Sequence, residues 1–194
     1  MPRITAPTVA ENRELRREAL MGAAAALIER RGTFTMSEVA REVGLSRSAV
    51  YEYYSSAPDL IADVLVDELA AWRDSLAATA RPGASPRERV HRWLEAVLAY
   101  VVDGRHALLR AAASIELPAS RRLEVAELHQ ALIAPLVDAL VASGSVDPVR
   151  EARYVWGVVD VAIGRIENAE TTPAAETAAL MRFIDAALSG IGDR

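Results

Sequence analysis

The stretch MSEVAREVGLSRSAVYEYYSSAPDL, from Met36 to Leu60, gathers hydrogen-bonding side chains on one short segment beyond a glycine. After Gly44 come Ser46, Arg47, Ser48, Tyr51, Tyr53 and Tyr54, with the small Ala49 among them. This is chemistry for reading a surface. Arginine offers a planar fork of donors, and serine and tyrosine offer single hydroxyls. Small neighbours let a backbone come close. A groove of double-stranded DNA presents acceptors suited to such a set.

The elements that must hold these groups follow from their neighbours. Thr35-Met36-Ser37-Glu38 is a capping box, which starts a helix at Met36 running to about Val43. Gly44 breaks it, and Ser46 is a good N-cap for a helix from Arg47 to near Tyr54. A helix-turn-helix needs a small residue where its helices cross, a turn residue tolerating positive φ, and a branched apolar wedge. Ala40, Gly44 and Val50 supply these, and Val39, Val43 and Leu45 complete the apolar face. Taken alone, the spacing also fits an ordinary pair of helices joined at a glycine.

The rest of the chain reads as helix. Asn12 to Arg31 carries Leu20, Ala24, Leu27 and Ile28 at helical spacing, and Gly32 stands where a helix-ending glycine belongs. Ser56 and Pro58 open a long helix to about Thr79, followed by the linker ARPGASP. Then come Pro86–Asp103, Arg105 to about Glu116, Ala119–Ala142, a run capped by Asp147 to about Ala169, and Pro173–Leu188 before SGIG. Pro135 should kink or split its helix. No segment reads as a strand. The expectation is an all-α fold of about nine helices.

Composition narrows the function. The chain has 194 residues, 52% apolar and 25% charged, enough for a buried core. It has no cysteine, which removes disulfides and thiolate sites. All 22 basic residues are arginine. The net charge of −5 argues, taken whole, against nucleic acid. It is unevenly spread, however. Residues 1–60 hold eight arginines and eight acids, while the remainder holds 14 and 19. No apolar segment is read as approaching a membrane span, and MPRITAPTVAENRE lacks the apolar core of a signal peptide, so a cytoplasmic protein is expected. There is no Gly-x-Ser-x-Gly, His-Glu-x-x-His or Gly-rich phosphate loop, and three scattered histidines make no metal site. Neither catalysis nor a cofactor is expected.

The block ALMGAAAALIERRGTFTMSEVAREVGLSRSAVYEYYSSAPDLIADVL resembles the N-terminal domain of the TetR family of bacterial transcription factors. The matching elements are Ala24, Leu27 and Ile28 before Gly32, then Thr35, Val39-Ala40, Gly44-Leu45-Ser46, Tyr51, the Tyr53-Tyr54 pair and Leu60. The resemblance implies a helix-turn-helix domain over 10–57 and a ligand-binding and dimerisation domain over 58–194. It implies that Arg47 reads a guanine edge, with Ser48 and Ala49 close to the bases. Tyr51 and Tyr53 would fix the register on phosphates, Thr35 and Ser37 would do likewise or reach the groove, Ser46 would be a further DNA contact, and Tyr54 would pack in the core. Ala57 stands where the family commonly has a phosphate-pairing lysine. Glu52 must face away from the DNA, and Arg13, Arg16 and Arg17 could compensate.

One recognition helix covers only a few base pairs, so such proteins dimerise. Gly157 and Gly164, seven apart, and the stripe Leu180, Phe183, Ile184, Ala187 and Leu188 mark the last two helices as the two-fold face. Candidate effector contacts are Trp72, Trp93, Tyr100, His106, Arg110, His129 and Tyr154. Trp93 and Tyr100, at i and i+7, also suit plain core, and Arg110 amid ALLRAAAS reads as partly buried. The expected function is a homodimeric repressor that leaves a double-stranded operator when a small molecule binds. The rival is an all-α small-molecule-binding protein or enzyme with a reading head that no longer works.

Overall fold

The computed structural model describes residues 8–112 and 115–189. Among them are ten helices and no strand: α1 Val9–Arg31, α2 Met36–Glu42, α3 Arg47–Tyr51, α4 Ala57–Ala77, α5 Pro86–Val102, α6 His106–Ala112, α7 Ala119–Ala131, α8 Ala134–Ala142, α9 Pro148–Glu167 and α10 Pro173–Leu188. The tenth helix comes from Pro135. It sits just inside α8, and the chain turns through Leu132 and Ile133 before it. The terminating glycines at 190 and 192 lie outside the described residues, as do residues 113 and 114 of the segment read as Arg105 to Glu116.

α1 starts three residues earlier than expected. Thr8 and Glu11 form a capping box there, the Thr8 hydroxyl accepting from the Glu11 amide at 3.2 Å. α3 ends at Tyr51, sooner than Tyr54. One sequence expectation needs correcting. Ala119–Ala142 is, over an 18-residue window, apolar enough by composition to cross a membrane. It is interrupted before Pro135, however, and Leu132, Leu136, Ala139 and Leu140 are buried.

Two compact units emerge. One runs to Glu68 and takes in Ala107–Val125; the other holds Leu69–His106 and the described chain from Ala126 onward. α4 and α7 each pass from one unit into the other. In the first unit, α1 buries Leu20, Ala24, Leu27 and Ile28, the face its spacing indicates. Ala40 and Val50 lie buried between α2 and α3. Gly44 has φ +68°, a left-handed conformation that a side chain would strain. The Leu45 amide donates to the Ala40 carbonyl at 2.9 Å and closes the turn.

The α2 cap is formed as its sequence indicates. The Thr35 hydroxyl accepts from the Glu38 amide at 3.3 Å, and the Thr35 amide donates to the Glu38 carboxylate at 2.8 Å. Thr35→Ala is expected to lower unfolding free energy by about 1 kcal/mol, the usual worth of such a cap, read from urea melts. In the second unit, α5 lies against α8, α9 and α10, and α9 buries Ala152, Val155, Val159, Ala162 and Ile163.

Candidate nucleic-acid interface and effector region

The reading surface is built on α3. Ser46 caps it, its hydroxyl accepting from the Ala49 amide at 3.2 Å, and lies 3.0 Å from the Ser48 hydroxyl. Val50 is buried and turns the opposite face, with Arg47, Ser48 and Tyr51, to solvent. Arg47 folds over the Tyr51 ring at 5.5 Å and donates from Nη2 to its hydroxyl at 3.3 Å. That hydrogen bond raises the guanidinium pKa above its ordinary value. Arg47 and Tyr51 therefore stand side by side, four residues apart on one helical face.

Other predicted contacts are partly occupied. The Thr35 hydroxyl is used in its own cap, and the Glu38 carboxylate fills the start of α2 that a phosphate would need. Arg31 pairs with that carboxylate at 2.8 Å. Ser37 is exposed on the first turn of α2. Tyr53 is half-buried, with Arg13 stacked over its ring at 5.1 Å. Arg13 also donates to the Glu52 carbonyl at 3.4 Å, while the Glu52 side chain is exposed. Arg17, read as a reserve phosphate contact, is engaged elsewhere, on Asp63. Tyr54 is core, as its neighbours imply.

The second unit brings five of the seven effector candidates together around a residue sequence reasoning overlooked, Trp156. Trp72 stacks on Tyr100 with centroids 4.2 Å apart. His106 stands edge-on to Trp72 at 5.9 Å. Trp93 and His129 approach Trp156 at 5.9 and 5.7 Å. His106 Nδ1 lies 2.7 Å from the Glu167 carboxylate. The Trp93 indole donates to the Leu132 carbonyl at 2.9 Å, but the equally buried Trp72 indole N–H finds no acceptor among the described residues. A buried donor left so costs about 1–3 kcal/mol. Arg110 and Tyr154 do not join this cluster. Arg110 is exposed on the last turn of α6, contrary to its apolar sequence context, and Tyr154 is 67% exposed on the outside of α9.

Two open clefts in this unit, of about 300 and 330 Å³, are lined by other residues, among them Arg87 and Asp185 in one and Arg73 and Arg89 in the other. Among the described residues no group of three or more His, Asp or Glu side chains is placed to hold a metal ion.

His129 keeps an edge in water but loses hydration against Trp156. That loss, with the nearby His106, lowers its pKa and outweighs the pull of Asp160. The folded state then favours the neutral ring. Its contribution is complete above the ordinary histidine pKa of about 6.5 and is lost as pH falls below it. Going from about pH 7 to 5 should lower the melting temperature of the native chain more than that of His129→Gln.

The outer faces of α9 and α10 carry unpaired apolar surface. Tyr154, Val161 and Phe183 are 67, 63 and 57% exposed, while Leu180 and Ile184 hold α10 to the core. A Cβ built on Gly157 or Gly164 would meet nothing within 4 Å.

Comparison with known proteins agrees with this geometry. Residues 20–64 match the family described as bacterial regulatory proteins, tetR family. The chain is 38% identical over 78 residues to the HTH-type transcriptional regulator BetI of Rhizobium meliloti (strain 1021). That match spans 39% of this chain and 38% of the relative's length. Among solved structures, a protein from Rhodococcus sp. assigned to the TetR family of transcriptional regulators is similar at 25% identity and TM-score 0.73. The likeness covers 90% of this chain and 99% of that one. The regulator FadR of Bacillus subtilis, solved with stearoyl-CoA, shares the fold at 12% identity and TM-score 0.70, over 85% of this chain and 95% of its own.

Proposed function

We propose, from the match of residues 20–64 to the tetR family of bacterial regulatory proteins and the likeness to BetI and the Rhodococcus structure, that the chain is a regulator of that family: a cytoplasmic, homodimeric repressor released from its DNA operator by a small molecule. The observation that carries the reading is α3: a capped helix on a buried Ala40–Val50 wedge, with Arg47 and Tyr51 outward. Such a helix enters the major groove by its N-terminal end. Arg47 would leave the Tyr51 ring for guanine O6 and N7, and Ser48 would face the bases beside it. Ser37, Ser46, Tyr51 and Tyr53 would contact phosphates, with Thr35 the weakest of the set because its hydroxyl already serves its cap.

The reading keeps a helix-turn-helix domain over 10–57 and an effector and dimerisation domain over 58–194. Dimerisation would use the outer faces of α9 and α10, where exposed Phe183 and Val161 flank glycines open to close approach. The effector would occupy the Trp72–Tyr100–Trp156 region, bringing the acceptor that the Trp72 indole lacks. Trp93, His106 and His129 would complete its surroundings. Arg110 and Tyr154 no longer belong to the proposed site. An effector acts only through its preference for the conformation with the wrong operator spacing, typically about 1–3 kcal/mol.

Fluorescence anisotropy with the protein's own upstream DNA tests the proposal. Binding should prefer that sequence over an unrelated duplex and weaken steeply with salt. Equal binding to both duplexes, or turnover of a metabolite without DNA binding, would favour the rival reading.

A further inference from the structure

Asp63 is the buried charged residue of the described chain, on the part of α4 that belongs to the first unit. Three helices of that unit and the segment after α3 meet at its carboxylate. Arg17 of α1 donates to Oδ2 from Nε at 3.1 Å and also from Nη2. The Tyr54 hydroxyl, just past α3, donates to the same oxygen at 3.1 Å and accepts from Arg17 Nε at 3.3 Å. Arg121, in the first turn of α7, donates to Oδ1. Burial pushes the Asp63 carboxyl pKa up, but the Arg17 hydrogen bond, the Arg121 charge and the Tyr54 hydroxyl together hold it below the usual carboxylate range.

The Arg121 contact stands out for two reasons. An arginine in the first turn of a helix opposes the helix dipole, an opposition that the Asp63 carboxylate and the exposed Glu124, 3.4 Å from Arg121 Nε, offset. And α7 buries none of its residues, although Val125 packs partly against the core. Beyond Val125 the same helix enters the second unit, where His129 stands on Trp156.

We infer that Asp63 is a positioning residue that ties α7 to the reading head, so that displacement of α7 is passed through Arg121, Asp63 and Tyr54 to the segment that follows α3. The consequence for DNA rests on the regulator reading; the mechanical link does not.

Arg121→Gln isolates the link. It leaves Asp63 paired with Arg17, so no buried charge is stranded and the fold persists. In the full-length chain, amide hydrogen exchange should quicken both in 119–125 and in 51–57. Quickening confined to 119–125 would overturn the inference. On the protein's own upstream duplex, Arg121→Gln should bind about tenfold more weakly, within the range of such couplings, with a nearly unchanged melting temperature. Arg121→Lys, which can still reach Oδ1, should recover most of the loss. If the native chain binds that duplex and Arg121→Gln binds it equally, the inference is wrong. If the native chain ignores the duplex, the regulator reading fails, and the exchange pattern alone decides the link.

Discussion

Arg47→Ala is expected to weaken operator binding by about 2–6 kcal/mol, roughly 30-fold to 20,000-fold, because a symmetric dimer loses the contact twice. Each bidentate pair with guanine discriminates by about 1–3 kcal/mol. The free chain offers little to offset that. Arg47 is fully exposed and its partner is one neutral hydroxyl, so the side chain gives up little on leaving for the groove. Exposure also means that the truncation leaves the fold alone; Val50 and Ala40 hold α3 in place from its other side. Affinity for an unrelated duplex should change much less, since phosphate contacts supply non-specific binding. The sign of recognition is therefore the collapse of the ratio between operator and unrelated DNA in titrations at fixed salt. A variant with that ratio intact would place sequence reading outside α3. Tyr51→Phe keeps the ring under Arg47 and removes only the hydroxyl, so it should cost far less.

The reading head was largely legible because its signals are local. Thr35 and Glu38 are three residues apart, Ser46 lies next to the helix it caps, and Gly44 sits at the turn it allows. The same rule would have found the Thr8–Glu11 box, but TAPTVAENRE carries no apolar period to announce a helix. The Asp63 cluster left no signal, because its arginines lie 46 and 58 residues away. From the sequence alone Arg17 was one more basic residue near DNA; folded, it is spent on a carboxylate. In the second unit, the aromatic residues singled out as candidates do lie together, but side-chain direction was not legible. Tyr154 and Trp156 sit two apart on α9, far enough around a helix for one to face water and the other the rings of Trp72 and Trp93. Arg110 was misjudged from its apolar neighbours, which say what α6 buries and nothing of its outer side.

Phe183→Asp should convert the proposed dimer to a monomer in light scattering and lower operator affinity by about 10²–10⁴. That is the advantage two linked readers hold over separate ones. The side chain is 57% exposed in the single chain, and Leu180 and Ile184 do the packing of α10, so the change touches an outer surface only. Across a two-fold axis it would appear twice and set two carboxylates in an apolar contact, which neither ion tolerates unpaired. A second variant separates assembly from folding. Gly157 is exposed and a Cβ there meets nothing within 4 Å in its own chain, so Gly157→Leu is expected to leave the monomer folded. Any loss of assembly it causes must come from a partner pressed against α9. If both variants remain dimeric with full operator affinity, the two-fold face lies elsewhere, and the glycines of α9 are simply open surface.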